Sequence, residues 1–169
     1  WIFGGVGNSD QFYSDVWMTE DGENWIQISE DAGWGKRMFH SAVVFDNKMW
    51  LFGGYNSKTN SPHQDIWVSE NGTDWILVSE TNPWSTRHGH ATIVHDGQIW
   101  IIGGYDIQRK MQLNDVWVSG DGQTWEQVPD EVTWRHRHAH AAHSFLGRIW
   151  LLGGRNDRGA LNDIWYKVN

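Results

Sequence analysis

The sequence predicts an all-β protein built from four-stranded antiparallel units that recur about every fifty residues. Three observations predict it. First, "GWGKRMFHSAVVFDNKMWLFGGY" (33–55), "PWSTRHGHATIVHDGQIWIIGGY" (83–105) and "TWRHRHAHAAHSFLGRIWLLGGR" (133–155) align without a gap at a spacing of fifty. Second, all fourteen tryptophans fall into four columns of that repeat. Third, the apolar runs are short, rich in Val, Ile and Trp, and cut by Gly, Asp and Asn. That suits strands and turns, and no helical period is sustained.

The elements follow in order. "WIFGG" at the start matches "WLFGG" at 50–54, so the chain opens on the second strand of a unit. "DVWMTE", the turn Asp21–Gly22 and "NWIQISE" supply its third and fourth strands. The first complete unit begins with a hairpin, "HSAVVFD" and "KMWLFGG", closed by Asp46–Asn47. It ends with "DIWVSE" and "DWILVSE" around Asn71–Gly72. The next unit repeats this scheme with Asp96–Gly97 and Asp121–Gly122, and Asp-Gly pairs are strong hairpin signals. Leu146–Gly147 closes the hairpin of the last unit, which finishes on "LNDIWYKVN". The expected organisation is therefore a partial unit at 1–30, complete units at 39–79 and 89–129, and a partial unit at 139–169, fourteen strands in all.

Each tryptophan column has a fixed place. Trp1, Trp50, Trp100 and Trp150 precede a Gly-Gly pair; Trp17, Trp67, Trp117 and Trp165 follow an Asp-[Val/Ile] step. Trp25, Trp75 and Trp125 follow the polar turn, and Trp34, Trp84 and Trp134 precede the Arg/His stretch. A residue that recurs in every unit serves the unit, so these columns read as architecture. The last column is a plug between units, with a flat platform for sugars as the alternative. Asp15, Asp65, Asp115 and Asp163 read as strand-start hydrogen-bonding groups rather than catalytic acids.

Composition excludes several functions. Cysteine is absent among the 169 residues, which removes disulfides, thiolate metal sites and a cysteine nucleophile. The net charge of −8 argues against a nucleic-acid partner, because phosphate binding calls for excess Lys and Arg. No apolar run approaches the ~18 residues of a membrane span, so membrane insertion is not expected. "NGT" at 71–73 fits a glycosylation sequon, although an Asn-Gly turn already explains it.

Four-stranded units at this period, each carrying Gly-Gly, resemble the kelch repeat, whose units are blades of a β-propeller. The resemblance rests on Gly4–Gly5, Gly53–Gly54, Gly103–Gly104 and Gly153–Gly154, on Trp25, Trp75 and Trp125, and on Arg37, Arg87 and Arg137 before each first strand. The third strand carries Trp where many kelch units carry Tyr. The Trp-rich character resembles bacterial-type repeats and the central domain of galactose oxidase, which implies an extracellular or cell-surface location. "SGDGQTW" (119–125) is also similar, in part, to the Asp-box turn of sialidase-like propellers, a structural turn in that family. Kelch propellers usually have six or seven blades. By that measure the chain is expected to be about half a ring, completed by the rest of a longer chain or by further copies.

Antiparallel strands sort the tight turns onto one face and the longer connections onto the other. In kelch proteins the longer-loop face commonly binds partners, and loops on a rigid scaffold carry function. By resemblance, the candidate binding residues are Arg37, Met38, Arg87, His88, Arg137 and His138, with Tyr55, Tyr105 and Arg155 just after the glycines. Arg135 and His136 add to them in the last unit only. "RHRHAHAAH" (135–143) raises a metal question. Alternate residues on a strand share a face, so His136, His138 and His140 could converge on zinc. Against that, His140 repeats His40 and His90, Met38 stands in the His138 column, and no carboxylate alternates with them; no metal or cofactor is expected. The arginines follow acidic residues: Glu30 and Asp31, Glu80, and Asp130 and Glu131. They read as local ion pairs, or as a ring of guanidinium forks at the propeller mouth suited to carboxylates.

Three functions are then in play. The first is a non-catalytic scaffold that engages a macromolecular partner through the longer-loop face. The second is glycan binding without turnover. The third is a sugar-processing enzyme resembling sialic-acid mutarotases. A copper radical oxidase needs a Tyr–Cys cross-link, which this chain lacks.

Overall fold

The computed structural model describes residues 1–129 and 132–166. Asp130 and Glu131, expected as ion-pair partners of Arg137, and the final positions 167–169 lie outside the described residues. The chain is all-β, with its strands paired antiparallel in consecutive sheets. The first sheet orders β1 (Ile2–Val6), β2 (Phe12–Met18) and β3 (Ile26–Ser29). In the second, β4 (Ser41–Phe45) and β5 (Lys48–Phe52) form the hairpin, and a short pair, β6 (Tyr55–Asn56) and β7 (Ser61–Pro62), occupies the long connection. β8 (Ile66–Ser69) and β9 (Ile76–Ser79) complete the order β4-β5-β8-β9.

In the third sheet, β10 (Arg87–His88) and β11 (Ala91–His95) both pair with β12 (Gln98–Asp106), followed by β13 (Met111–Ser119) and β14 (Glu126–Gln127). Here most of the longer connection after the glycines is itself strand, and β12 and β13 each run nine residues. The fourth sheet orders β15 (Ala141–Phe145), β16 (Arg148–Leu152) and β19 (Ile164–Tyr166). β17 (Arg155–Asn156) and β18 (Gly159–Ala160) form its short connecting pair.

The core lies between sheets. Trp34 packs with Val16, Ala32 and Leu51 at the first seam. Trp84 joins Trp50, Phe52 and Ile66 of the second sheet to Ile99, Ile101 and Trp125 of the third. The Trp84 and Trp125 rings meet edge to face, 4.7 Å between centroids, an arrangement that adds to simple burial. Ala91, Ile102 and Val116 meet Ala142, Ile149 and Leu151 at the third seam, with Trp134 packed against them. Trp34 and Trp84 are buried, so neither offers a platform to a sugar.

The paired glycines explain themselves at these seams. Gly103 has φ +58°, and a Cβ there would stand 2.9 Å from the Arg137 carbonyl oxygen and 3.2 Å from the His140 ring. On Gly104 it would stand 2.9 Å from the His90 Cβ. Only glycine lets one sheet's backbone touch the next. Accordingly, the second glycine donates across each seam: Gly5 N–H to the Arg37 carbonyl (3.0 Å), Gly54 to Arg87 (3.3 Å) and Gly104 to Arg137 (2.9 Å). At two of the polar turns the glycine itself is covered, while its neighbours in the turn stay exposed. The Trp1 ring lies on Gly72 and the Trp50 ring on Gly122, in both cases 2.4 Å from where a Cβ would be. Asn71 and Asp121 shape those turns by accepting N–H bonds from the residues two and three ahead.

Candidate functional site

The first strands β4, β11 and β15 lie side by side, and just before each the chain turns through a left-handed residue: Phe39 (φ 56°), Gly89 (φ 60°) and Ala139 (φ 51°). These turns form a backbone chain across three sheets. Gly89 N–H donates to the Phe39 carbonyl (2.8 Å), and Ala139 N–H donates to the Gly89 carbonyl (2.7 Å). Behind it, the Ser41 hydroxyl meets His90 Nε2 at 2.7 Å and the Thr92 hydroxyl at 2.6 Å.

The residue before each turn pairs with the residue after each Gly-Gly. Met38 and Tyr55 exchange two backbone bonds of 2.9 Å. His88 pairs with Tyr105. His138 donates to the Arg155 carbonyl at 3.1 Å and accepts from the Arg155 N–H at 3.0 Å. All six candidate residues in these columns are thus brought together by one recurring contact. The rings of Tyr55, His88, Tyr105 and His138, joined by Phe39, form a continuous stripe. The His88 ring stacks on Phe39 (centroids 5.5 Å, 25°) and on Tyr55 (5.6 Å, 18°). It then meets Tyr105 at 5.4 Å and His138 at 6.2 Å, and Tyr105 meets His138 at 5.5 Å. Arg155, exposed, stands at the end of the stripe.

The electrostatics keep the stripe uncharged on its His side. Burial pushes His88 down to about 4, and the neighbouring His138 adds to the effect. His138 is lowered by burial and then by the charge of Arg155. Phe39, half exposed (50%), gives the stripe a large apolar anchor.

Arg37, Arg87 and Arg137 sit elsewhere. All three are buried and grip a carboxylate of their own sheet with both Nη atoms. Arg37 donates to Asp65 at 2.6 and 2.9 Å, Arg87 to Asp115 at 2.7 and 2.8 Å, and Arg137 to Asp163 at 2.6 and 2.8 Å. Each also donates to the carbonyl of the first paired glycine: Gly53 (2.9 Å), Gly103 (3.0 Å) or Gly153 (2.7 Å). Trp67, Trp117 and Trp165 donate their indole N–H to the same carboxylates, at 2.7, 2.8 and 2.7 Å. These are ion pairs with the strand-start aspartates; among the described residues, Glu30, Asp31 and Glu80, which precede Arg37 and Arg87 in sequence, take no part in them. Burial pushes the Asp115 carboxyl up; the bonds and charge of Arg87, with the Trp117 bond, outweigh it and hold the group below its ordinary range. An enclosed guanidinium already bound bidentately has no fork to offer a ligand, so these three do not form a ring at the mouth.

The last unit's histidines diverge as well. His136 Nε2 faces Asp157 at 3.0 Å on an exposed loop, His138 belongs to the stripe, and His140 is buried beside Gly103 and Gly154. Among the described residues no group of three His, Cys, Asp or Glu could hold a metal ion. The expected alternation fails because 136–140 is not a strand: Ala139 adopts φ 51° and turns the next side chain to another side. Arg135 is exposed, and its carbonyl accepts from Arg137 Nε at 3.2 Å.

Sequence reasoning missed Phe39, because its column reads Phe, Gly, Ala and does not repeat. It also missed the Arg–Asp clamps, whose signal was a nearly constant separation of 28, 28 and 26 residues.

Residues 1–133 match the family model described as the KLHDC2/KLHL20/DRC7 Kelch-repeats domain. No curated protein matches the chain. Among the described residues no helix is long and apolar enough to cross a membrane.

Proposed function

The chain belongs to the kelch-repeat family, whose domains generally serve as protein-binding scaffolds and are typically non-enzymatic, and on that premise we propose that it binds a protein partner through the stripe on its longer-loop face. The observation that carries the proposal is the cluster of Phe39, Tyr55, His88, Tyr105 and His138, five ring side chains linked through His88 across three sheets. Aromatic anchors on a rigid support are what interface hot spots are made of. Arg155 adds a planar donor at one end. The enclosure of Arg37, Arg87 and Arg137 favours a protein over an acidic sugar, and equally over mutarotase-like chemistry. The Trp-rich, bacterial-type reading and its extracellular or cell-surface placement remain part of the proposal, supported by the tryptophan columns.

The test compares the wild type with Phe39→Asp and Tyr105→Ala. A partner recovered by affinity purification is purified and titrated by calorimetry. Both substitutions are expected to weaken it at least about tenfold, in line with loss of a hot-spot ring. Unchanged affinity in both variants would place the contact elsewhere and overturn the proposal.

A further inference from the structure

A second surface lies away from the stripe, beside the tight turns. Between the second and third sheets runs a groove of about 860 Å³. One wall is apolar: Phe45, Trp50, Val68, Ile76, Leu77 and Val78. The other carries the turn residues Gly97, Asp121 and Gln123. Ile76 is 68% and Leu77 37% exposed, and both sit on β9, the last strand of its sheet. Among the described residues no strand pairs with the outer edge of β9.

This strand differs from its counterparts. Where β9 has Ile76 and Leu77, the first sheet has Ile26 and Gln27 and the third has Glu126 and Gln127. Polar residues at an edge discourage another chain from pairing with it, and β9 alone carries none at these two positions. The surroundings are acidic. Asp46 and Asp121 line the groove, Asp96 precedes the lining Gly97 in sequence with its carboxylate 3.4 Å from His95 Nε2, and the one lining lysine, Lys48, is paired with Glu70 at 3.2 Å. Backbone N–H bonds from Thr124 and Gln123 hold the Asp121 carboxyl low, so it stays ionised.

We propose that the free edge of β9 and its groove receive an extended, cationic segment of a partner protein, which adds a strand to β9, packs its apolar residues against Ile76 and Leu77, and sets its Lys or Arg near Asp46, Asp96 and Asp121. Strand addition of this kind takes affinity from main-chain hydrogen bonds and selectivity from alternate side chains. A second copy of this chain is the poorer occupant, because a net charge of −8 and an acidic rim repel their like. The inference stands apart from the stripe and does not rest on it.

The probe is a capped, fluorescently labelled peptide of alternating Val and Lys, followed by anisotropy. It is compared with the same peptide N-methylated at every second amide and with a Val/Glu version. Saturable binding is expected, weakened at least tenfold by methylation and abolished by the change to Glu. The paired substitution Ile76→Glu with Leu77→Gln copies the third sheet's own residues, so it preserves a sequence that this architecture already folds. It is expected to weaken binding at least tenfold while Tyr105→Ala leaves it unchanged. Hydrogen exchange should slow at 76–79 on binding. Absence of binding, equal binding of the methylated peptide, or equal binding by the paired variant each overturns the proposal. So does concentration-dependent self-association that the paired variant removes, which would make a second copy the occupant.

Discussion

At the scale of the residue, the Arg–Asp clamp is where most is at stake. Arg87 and Asp115 are joined by two short bonds and further tied to Gly103 and Trp117. Taking two charges out of water is costly, and the gain is realised only with both partners present. Asp115→Ala leaves a buried guanidinium uncompensated, and the expected loss is about 3–5 kcal/mol in urea unfolding. Replacing both members, Arg87→Met with Asp115→Leu, should recover a substantial part of that loss. A single substitution costing less than ~1 kcal/mol would show that water reaches the site and screens it. Tryptophan has its own role here. The Trp117 indole N–H donates to the same Asp115 oxygen that Arg87 Nη2 reaches, which gives a physical reason for the Asp-[Val/Ile]-Trp spacing.

At the scale of the element, the same backbone conformation has different consequences in different places. Gly97 and Gly103 both have positive φ, 70° and 58°, but nothing lies within 4 Å of where a Cβ on Gly97 would be. Gly97→Ala should cost only the left-handed penalty, about 1–2 kcal/mol. Gly103→Ala should cost more, roughly 2–4 kcal/mol, because its Cβ meets carbonyl oxygens of Arg137 and Leu113 that cannot swing away. Thermal unfolding of the two variants decides it, and equal losses would mean the seam yields. The glycine pairs, turns and tryptophan columns were legible in the sequence because they recur, and recurrence marks what each unit needs. The clamp was half legible: both columns were visible, but their meeting depends on strands between them that bring distant positions together. The stripe was legible at Tyr55, His88, Tyr105 and His138 and illegible at Phe39, whose column does not repeat. The histidine alternation misled because one left-handed residue breaks the two-residue period.

At the scale of the whole molecule, the seams contain histidines that must stay neutral. Burial lowers His40 and His140 to about 4 and holds His90 well below its ordinary value, with Arg37, Arg137 and Arg87 respectively adding repulsion. The unfolded chain protonates these groups near 6.5, so below that pH it binds more protons than the folded chain. Stability is therefore complete above about 6.5 and falls as pH drops towards about 4, by up to ~1.4 kcal/mol per pH unit for each histidine. The urea midpoint should decline between pH 7 and pH 5, and a midpoint unchanged over that range would contradict it. Because the three sit at successive seams, the loss should separate sheets from one another before it unravels any one of them.

The indole rings resting on turn glycines have a longer reach. Trp1 covers Gly72 and Trp50 covers Gly122, always from an earlier unit onto a later one. The contact has a sense, like the stud and socket of a building brick. A unit copied in tandem would arrive with its own stud for the neighbour ahead and its own socket for the neighbour behind. Such a chain can lengthen by duplication without inventing a new interface, and each copy is then free to vary side chains, like that of Phe39, that lie outside this stud and socket.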